Sequence, residues 1–184
     1  MLDENELGAY IDRHFTSTLF RLETLDLYDV SSNGEDFRRY VAGEPGPDMH
    51  RKGRWMDHIR SEVARGLHTY RVHVVHGPLT DYLRYEFEWD YVHNAAAGEH
   101  IRILDLTEQP SPEGLVSEDF WLIDEDHAVV MRYDSEGRFE RGEIVQEGQL
   151  AEYRHARDAT WAVAVPFADY WREHPQYWRD PPAA

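Results

Sequence analysis

The stretch His76-Gly77-Pro78-Leu79-Thr80-Asp81-Tyr82-Leu83-Arg84-Tyr85-Glu86-Phe87 constrains the fold more than any other. It follows a β-rich run, Tyr70-Arg71-Val72-His73-Val74-Val75. Gly-Pro breaks a strand, and proline is tolerated in a first helical turn. Beyond it, Leu79, Leu83 and Phe87 form one helical stripe, and Tyr82, Tyr85, Trp89 and Val92 an adjoining one. The pattern predicts a helix over 79–97, with Gly98 where a terminating residue belongs. His100-Ile101-Arg102-Ile103-Leu104-Asp105-Leu106 then reads as a second strand. Strands joined by a helical crossover are parallel. The corner at the first strand's carboxyl end is where α/β proteins place their sites.

The rest of the chain fits around that unit. Its 184 residues suit one domain. The loop Gly43-Glu44-Pro45-Gly46-Pro47-Asp48 divides it, on this reading, into an N-terminal helical and extended arm over 1–48 and an α/β domain over 49–184 with an aromatic tail. Within the arm a helix is expected from Leu7 to Phe15, an extended run from Thr18 to Asp26, a turn at Ser31-Ser32-Asn33-Gly34 and a helix from Glu35 to Val41. Trp55, Ile59 and Val63 recur every fourth position and predict a buried helical stripe that Gly66 ends. Phe120-Trp121-Leu122-Ile123 is an apolar run of buried-strand type. Turns at 124–127 and 134–137 make it the first strand of a meander. A helix over 150–171 follows, with Pro166 able to kink or split it. The fold class expected is α/β: a mixed sheet with a βαβ crossover, a β-meander and covering helices.

Composition narrows the functional classes. The net charge of -17 repels phosphate backbones and argues against nucleic-acid binding. The chain has no cysteine, hence neither disulfide nor thiolate chemistry. The first residues are acidic and lack the apolar core of a signal peptide, and no apolar run approaches membrane-spanning length. A cytoplasmic protein that meets a small molecule or a partner protein, with no membrane role, is expected, and a homodimer is left open. No cofactor and no metal are expected, since no glycine-rich phosphate loop, nucleophile elbow or metalloprotease helix is present.

Candidate site residues cluster at the corner. His76, at the strand's carboxyl end, suits acid/base work because its ordinary pKa lies near neutrality. Tyr82 and Glu86, one and two helical turns into the next element, are its expected companions in catalysis. Arg84 and Tyr85 on the same helix, Arg21 and Arg71 on neighbouring strands, and Trp121 as an opposite wall are the ligand-binding candidates. Each also has a plainer reading. Arg84 with Glu88 is a surface pair at i,i+4 spacing. Arg21 and Glu23 share one face of an extended run and suit a structural ion pair. Arg71 and Arg102 could bind a carboxylate or phosphate in the same cleft, but structural pairing with Glu23 and Glu86 is the favoured reading. His73 and His76, three apart on a strand, face opposite sides and do not make a metal pair unless His76 has left the strand.

Four ordered motifs resemble a known family: Phe20-Arg21-Leu22-Glu23 with Asp26 and Tyr28, Pro78 through Glu86, Ala97 through Arg102, and Asp119 through Asp124. The family is one of small actinobacterial proteins known as a domain of unknown function. Its members are often encoded near helix-turn-helix regulators or within specialised-metabolite loci. The element order also resembles half of the phospholipase D-like fold. Catalysis there needs a His nucleophile and a Lys two residues on. The corresponding strand here offers Asp119 and Trp121, or Ser117 and Asp119, so the resemblance implies the fold without the phosphodiesterase chemistry. The function expected is a non-catalytic ligand- or partner-binding module in a regulatory setting. The alternative is a small specialised-metabolism enzyme performing isomerisation, cyclisation or dehydration in an aromatic cleft.

Overall fold

Strand alternation organises the molecule. The computed structural model describes residues 1–29 and 34–179, so the turn expected at Ser31-Ser32-Asn33 and residues 180–184 lie outside it. Three strands, β1 (Thr18–Glu23), β2 (His68–Val75) and β3 (His100–Asp105), run parallel and adjacent in that order. The parallel pairing expected of the two strands around the crossover is therefore observed. β4 (Phe120–Ile123) lies antiparallel to β1 and opens a meander with β5 (His127–Tyr133) and β6 (Phe139–Ile144). A two-residue strand, β7 (Val165–Pro166), closes the other edge against β3. The seven strands stand in the order β6-β5-β4-β1-β2-β3-β7.

The two faces of this sheet differ in chemistry. Side chains alternate along a strand, so Phe20 and Leu22 of β1 share a face with Tyr70, Val72 and Val74 of β2. With Phe120 and Leu122 of β4 they pack against Leu150, Tyr153 and Ala156 of α6 (Leu150–Val163), forming a fully apolar core. Arg21 and Glu23 point the other way. Register places Arg21 opposite Arg71 on one side and Trp121 on the other, and Glu23 opposite His73. That polar face is roofed by the crossover helix and by α2 (Gly34–Val41) and α3 (Met49–Ala64).

The N-terminal segment is not an appendage. β1 sits between β4 and β2, so the division expected at residue 48 does not separate an arm from a domain. Its first helix, α1 (Glu4–His14), is closed by a capping box in which Asp3 and Glu6 satisfy each other's backbone. The loop Gly43 to Asp48 instead joins α2 to α3, where the Asp48 carboxylate accepts from the His50 N–H at 2.9 Å.

The crossover helix is not uniform. It opens as α4 (Asp81–Tyr85), capped by Thr80, widens into a π-helical turn over Glu86–Tyr91, and resumes as α5 (Val92–Ala97). Gly98 ends it at φ +119°, a left-handed conformation suited to glycine. The wider turn carries i→i+5 hydrogen bonds and changes which residues face inward. Tyr91 is buried, whereas Val92, expected on the apolar stripe, is exposed. The stripe expected on α3 also shifts: Ile59 is buried, but Trp55 and Val63 are each 48% exposed, and Lys52 and Met56 take the inward positions. The helix expected over 150–171 is split into α6 and α7 (Phe167–Glu173), because Pro166 lacks an N–H and favours an extended residue before it. The tail packs back within the chain: the Tyr177 carbonyl accepts from Arg84 Nε at 2.9 Å. No helix among the described residues is long and apolar enough to cross a membrane.

Candidate functional site

The polar sheet face is the floor of a cavity of about 360 Å³, within the range of small-ligand sites. Glu23 is its centre and only 1% exposed. Its carboxylate pairs with Arg21 Nη2 at 3.0 Å and accepts from Arg71 Nη1 at 2.9 Å and from the Tyr91 hydroxyl at 2.7 Å. Arg71 also donates from Nε to Glu99 at 2.6 Å. Burial works to raise the Glu23 carboxyl, and the two guanidinium groups outweigh it, holding it well below the usual carboxylate range. Arg21 is sandwiched between aromatic rings, 5.0 Å from the Trp121 centroid and 5.6 Å from that of Tyr28. Tyr28 is fixed by a 2.6 Å hydrogen bond to Asp119, which also accepts from the Thr24 N–H.

One wall is the crossover helix. An α-turn brings Tyr82 and Glu86 onto one stripe, and the π-turn continues that stripe to Tyr91, five residues on. Thr80 anchors its start by donating to the Asp26 carbonyl at 2.9 Å. The facing wall is α3. There Lys52 donates to Asp90 at 2.6 Å and to Asn94 at 2.9 Å, clamping α3 onto the helix, while Arg51 pairs with Asp36 of α2 at 2.5 Å. Trp55 stands half-exposed on the same lining.

Within this network four buried atoms have no hydrogen-bond partner among the described residues, one of them Glu99 Oε2 behind Arg71. The Tyr82 hydroxyl, Glu86 Oε2 and Arg21 Nε are buried and hydrogen-bond to no described residue. Tyr82 is 4% exposed and Glu86 6%. Burial, Glu23 and Asp90 together push the Glu86 carboxyl well above the usual range, toward its neutral form. Burial likewise raises the Tyr82 hydroxyl. His73 lies behind Glu86 at 3.5 Å. Its Nε2 faces the Leu25 carbonyl at 3.0 Å and carries the hydrogen, and its Nδ1 stands 2.7 Å from the Tyr91 hydroxyl, whose single hydrogen serves either Nδ1 or Glu23 at a time. Burial depresses its pKa.

The structure brings together only part of the expected set. Tyr82, Glu86, Arg21 and Arg71 line the cavity, and Trp121 backs Arg21. His76 does not belong to it. Residues 71, 73 and 75 face the helix, and the next one falls beyond the strand, where His76 is exposed to solvent. Arg84 points outward to Asp81 and the tail, and Tyr85 packs among Phe37, Tyr40 and Trp89. Arg102 lies on the opposite face, stacked 4.2 Å from the Trp161 ring centroid. The sequence reading missed Tyr28, Lys52, Trp55, Asp90 and Tyr91. A signal for Lys52 was present: it is the only lysine among the 184 residues, on a helix otherwise rich in arginine.

This is an α/β protein whose mixed sheet is apolar on one side and, on the other, carries a buried ion-pair network flooring a small cavity. The chain belongs to the family described as domain of unknown function DUF6879, whose profile matches residues 5–172. No curated protein matches it.

Proposed function

We propose that this protein is a binding module for a small organic molecule held in the cavity between the polar sheet face, the crossover helix and α3. One observation carries the reading: of the four buried side-chain polar atoms without a hydrogen-bond partner among the described residues, three belong to the cavity-lining residues Tyr82, Glu86 and Arg21, and the fourth, Glu99 Oε2, sits behind Arg71 off the lining. Buried polar groups normally have partners, and leaving one unmade costs about 1–3 kcal/mol. A ligand that meets these atoms recovers that cost. Aromatic lining by Tyr28, Trp55, Tyr82 and Tyr91 supplies the apolar contact such sites use.

The reading is of binding rather than turnover. Glu23, the ionised carboxylate, is fully committed to Arg21, Arg71 and Tyr91 and is not free to act as a base. A cytoplasmic, regulatory or specialised-metabolite setting, implied by the resemblance to actinobacterial families, suits a ligand-responsive module. The enzyme alternative keeps Glu86 as proton donor beside Tyr82, without His76. The phospholipase D-like likeness adds no chemistry, because Asp119 is engaged by Thr24 and Tyr28.

The test is ligand-observed NMR against a panel of small neutral, anionic and cationic aromatic compounds. At least one should bind, and Tyr82→Phe or Trp55→Ala should weaken it. No binder anywhere in the panel, or binders indifferent to both substitutions, would overturn the reading.

A further inference from the structure

We infer that the cavity takes an organic cation, an ammonium group carried on an aromatic or alkyl body, with Glu86 as its counter-ion. The inference rests on the cavity being a ligand site, and it names the ligand's chemistry.

Every basic group on the lining already has a carboxylate. Arg21 is neutralised by Glu23, Arg71 by Glu23 and Glu99, Arg51 by Asp36, and Lys52 by Asp90. Arg21 keeps a free Nε–H as a hydrogen-bond donor, but its charge is answered. Glu86 is the surplus acid: its surroundings hold it toward the neutral form, and a bound cation favours its carboxylate, the proton leaving to solvent. Among the described residues its nearest basic group is the imidazole of His73 at 3.5 Å, and burial holds that imidazole toward its neutral form. An anionic ligand would find no uncompensated cation here. It would add negative charge beside Glu23 and Asp90, in a chain whose net charge is already -17.

The walls point the same way. Tyr82 and Tyr91 flank Glu86 on its own helix, Tyr28 stands beyond Arg21, and Trp55 borders the lining on α3. Aromatic rings attract a desolvated cation through the negative face of their quadrupole. Glu86 and Tyr82 are both more than nine-tenths buried and unpartnered, so the site is built into the fold. The acidic surface draws cations toward it from solution.

Isothermal titration of the whole chain with benzyltrimethylammonium, benzyl alcohol and benzoate tests the assignment. The cation should bind at least about tenfold tighter than either of the others, from the ring and carboxylate terms combined. Glu86→Gln keeps the size and removes the charge. It should cost the cation about tenfold or more in affinity and leave benzyl alcohol within about threefold, a contact to a charged group being worth more than one to a neutral group. The wild-type ranking stands as a test even if the variant does not fold. Benzyl alcohol or benzoate binding as well as the cation, or cation binding indifferent to Glu86→Gln, overturns the inference and leaves the cavity reading standing. If none of the three binds, the inference falls. The cavity reading falls with it only if the wider aromatic panel also fails.

Discussion

Replacing Glu23 by glutamine tests whether the polar sheet face is a cooperative structural network. The carboxylate is 1% exposed, receives hydrogen bonds of 2.9 and 2.7 Å from Arg71 and Tyr91, and pairs with Arg21 at 3.0 Å. Glutamine retains the volume but offers one acceptor oxygen, and its amide hydrogens would face guanidinium donors. Arg71 keeps Glu99 at 2.6 Å, whereas Arg21 loses its carboxylate partner. Breaking a buried ion pair on one side costs about 3–5 kcal/mol. Arg21 retains 18% side-chain exposure, so the low end, about 3 kcal/mol, is expected. With a urea m-value near 2 kcal/mol/M, the unfolding midpoint at pH 7 should fall by about 1.5 M. The folded-state pKa of Glu23 is depressed, so its contribution is present above the unfolded carboxylate value, about 4.3, and is lost as pH falls below it. The gap between wild type and variant should therefore narrow in acid. Glu88→Gln is the control: it pairs with Arg179 at 3.2 Å near the surface and should cost no more than about 1 kcal/mol. A midpoint at pH 7 within about 0.3 M of wild type for Glu23→Gln, or a gap that stays constant into acid, would refute the reasoning.

Four further outcomes are expected. Glu86 has a raised folded-state pKa, so its favourable contribution is present below the unfolded value near 4.3 and is lost as pH rises; Glu86→Gln should gain stability over wild type as pH climbs from about 5 to 8, read by urea midpoints across that range. Tyr82→Phe removes a hydroxyl with no partner and should be neutral or stabilising by up to about 1 kcal/mol in thermal melts, while weakening ligand binding. His76→Ala, at an exposed position off the cavity, should leave both melting temperature and ligand affinity unchanged. Gly137→Ala should destabilise by about 1–2 kcal/mol or more, because Gly137 has φ +79° and a Cβ there would stand 2.5 Å from the Leu27 carbonyl oxygen; a melting curve like that of wild type would count against it.

Much of the architecture was legible in the residues. The break at Gly77-Pro78, the terminating Gly98 and the apolar strand Phe120–Ile123 fixed a crossover and a meander, because local patterns dominate there. Thr18–Glu23 was read as extended but not as central. Its alternation of Phe20 and Leu22 with Arg21 and Glu23 looks like a half-exposed strand. Only tertiary pairing shows that the charged half is buried too. The site was half legible for the same reason. Tyr82, Glu86, Arg21 and Arg71 follow from strand and helix periodicity. Tyr91 and Val92 exchange roles through a π-turn that no 3.6-residue pattern contains. Lys52, Trp55 and Asp90 depend on how α3 crosses the helix, a contact between segments 38 residues apart for the Lys52–Asp90 pair.

The sheet's two chemistries are carried by the same strands, with Phe20 and Leu22 anchoring the apolar core while Arg21 and Glu23 line the cavity. A molecule bound there is therefore not held by a loop that can open alone. Unfolding the sheet around β1 would scatter the residues that contact that molecule, so the unfolded chain has no such site. Occupancy is thus coupled to global unfolding, and a ligand at a hundred times its dissociation constant adds about 2.7 kcal/mol to the whole chain. In a cell that triages unfolded chains, such a difference is felt as lifetime. On the proposed binding role, the amount of this protein would itself report how much of that molecule is present.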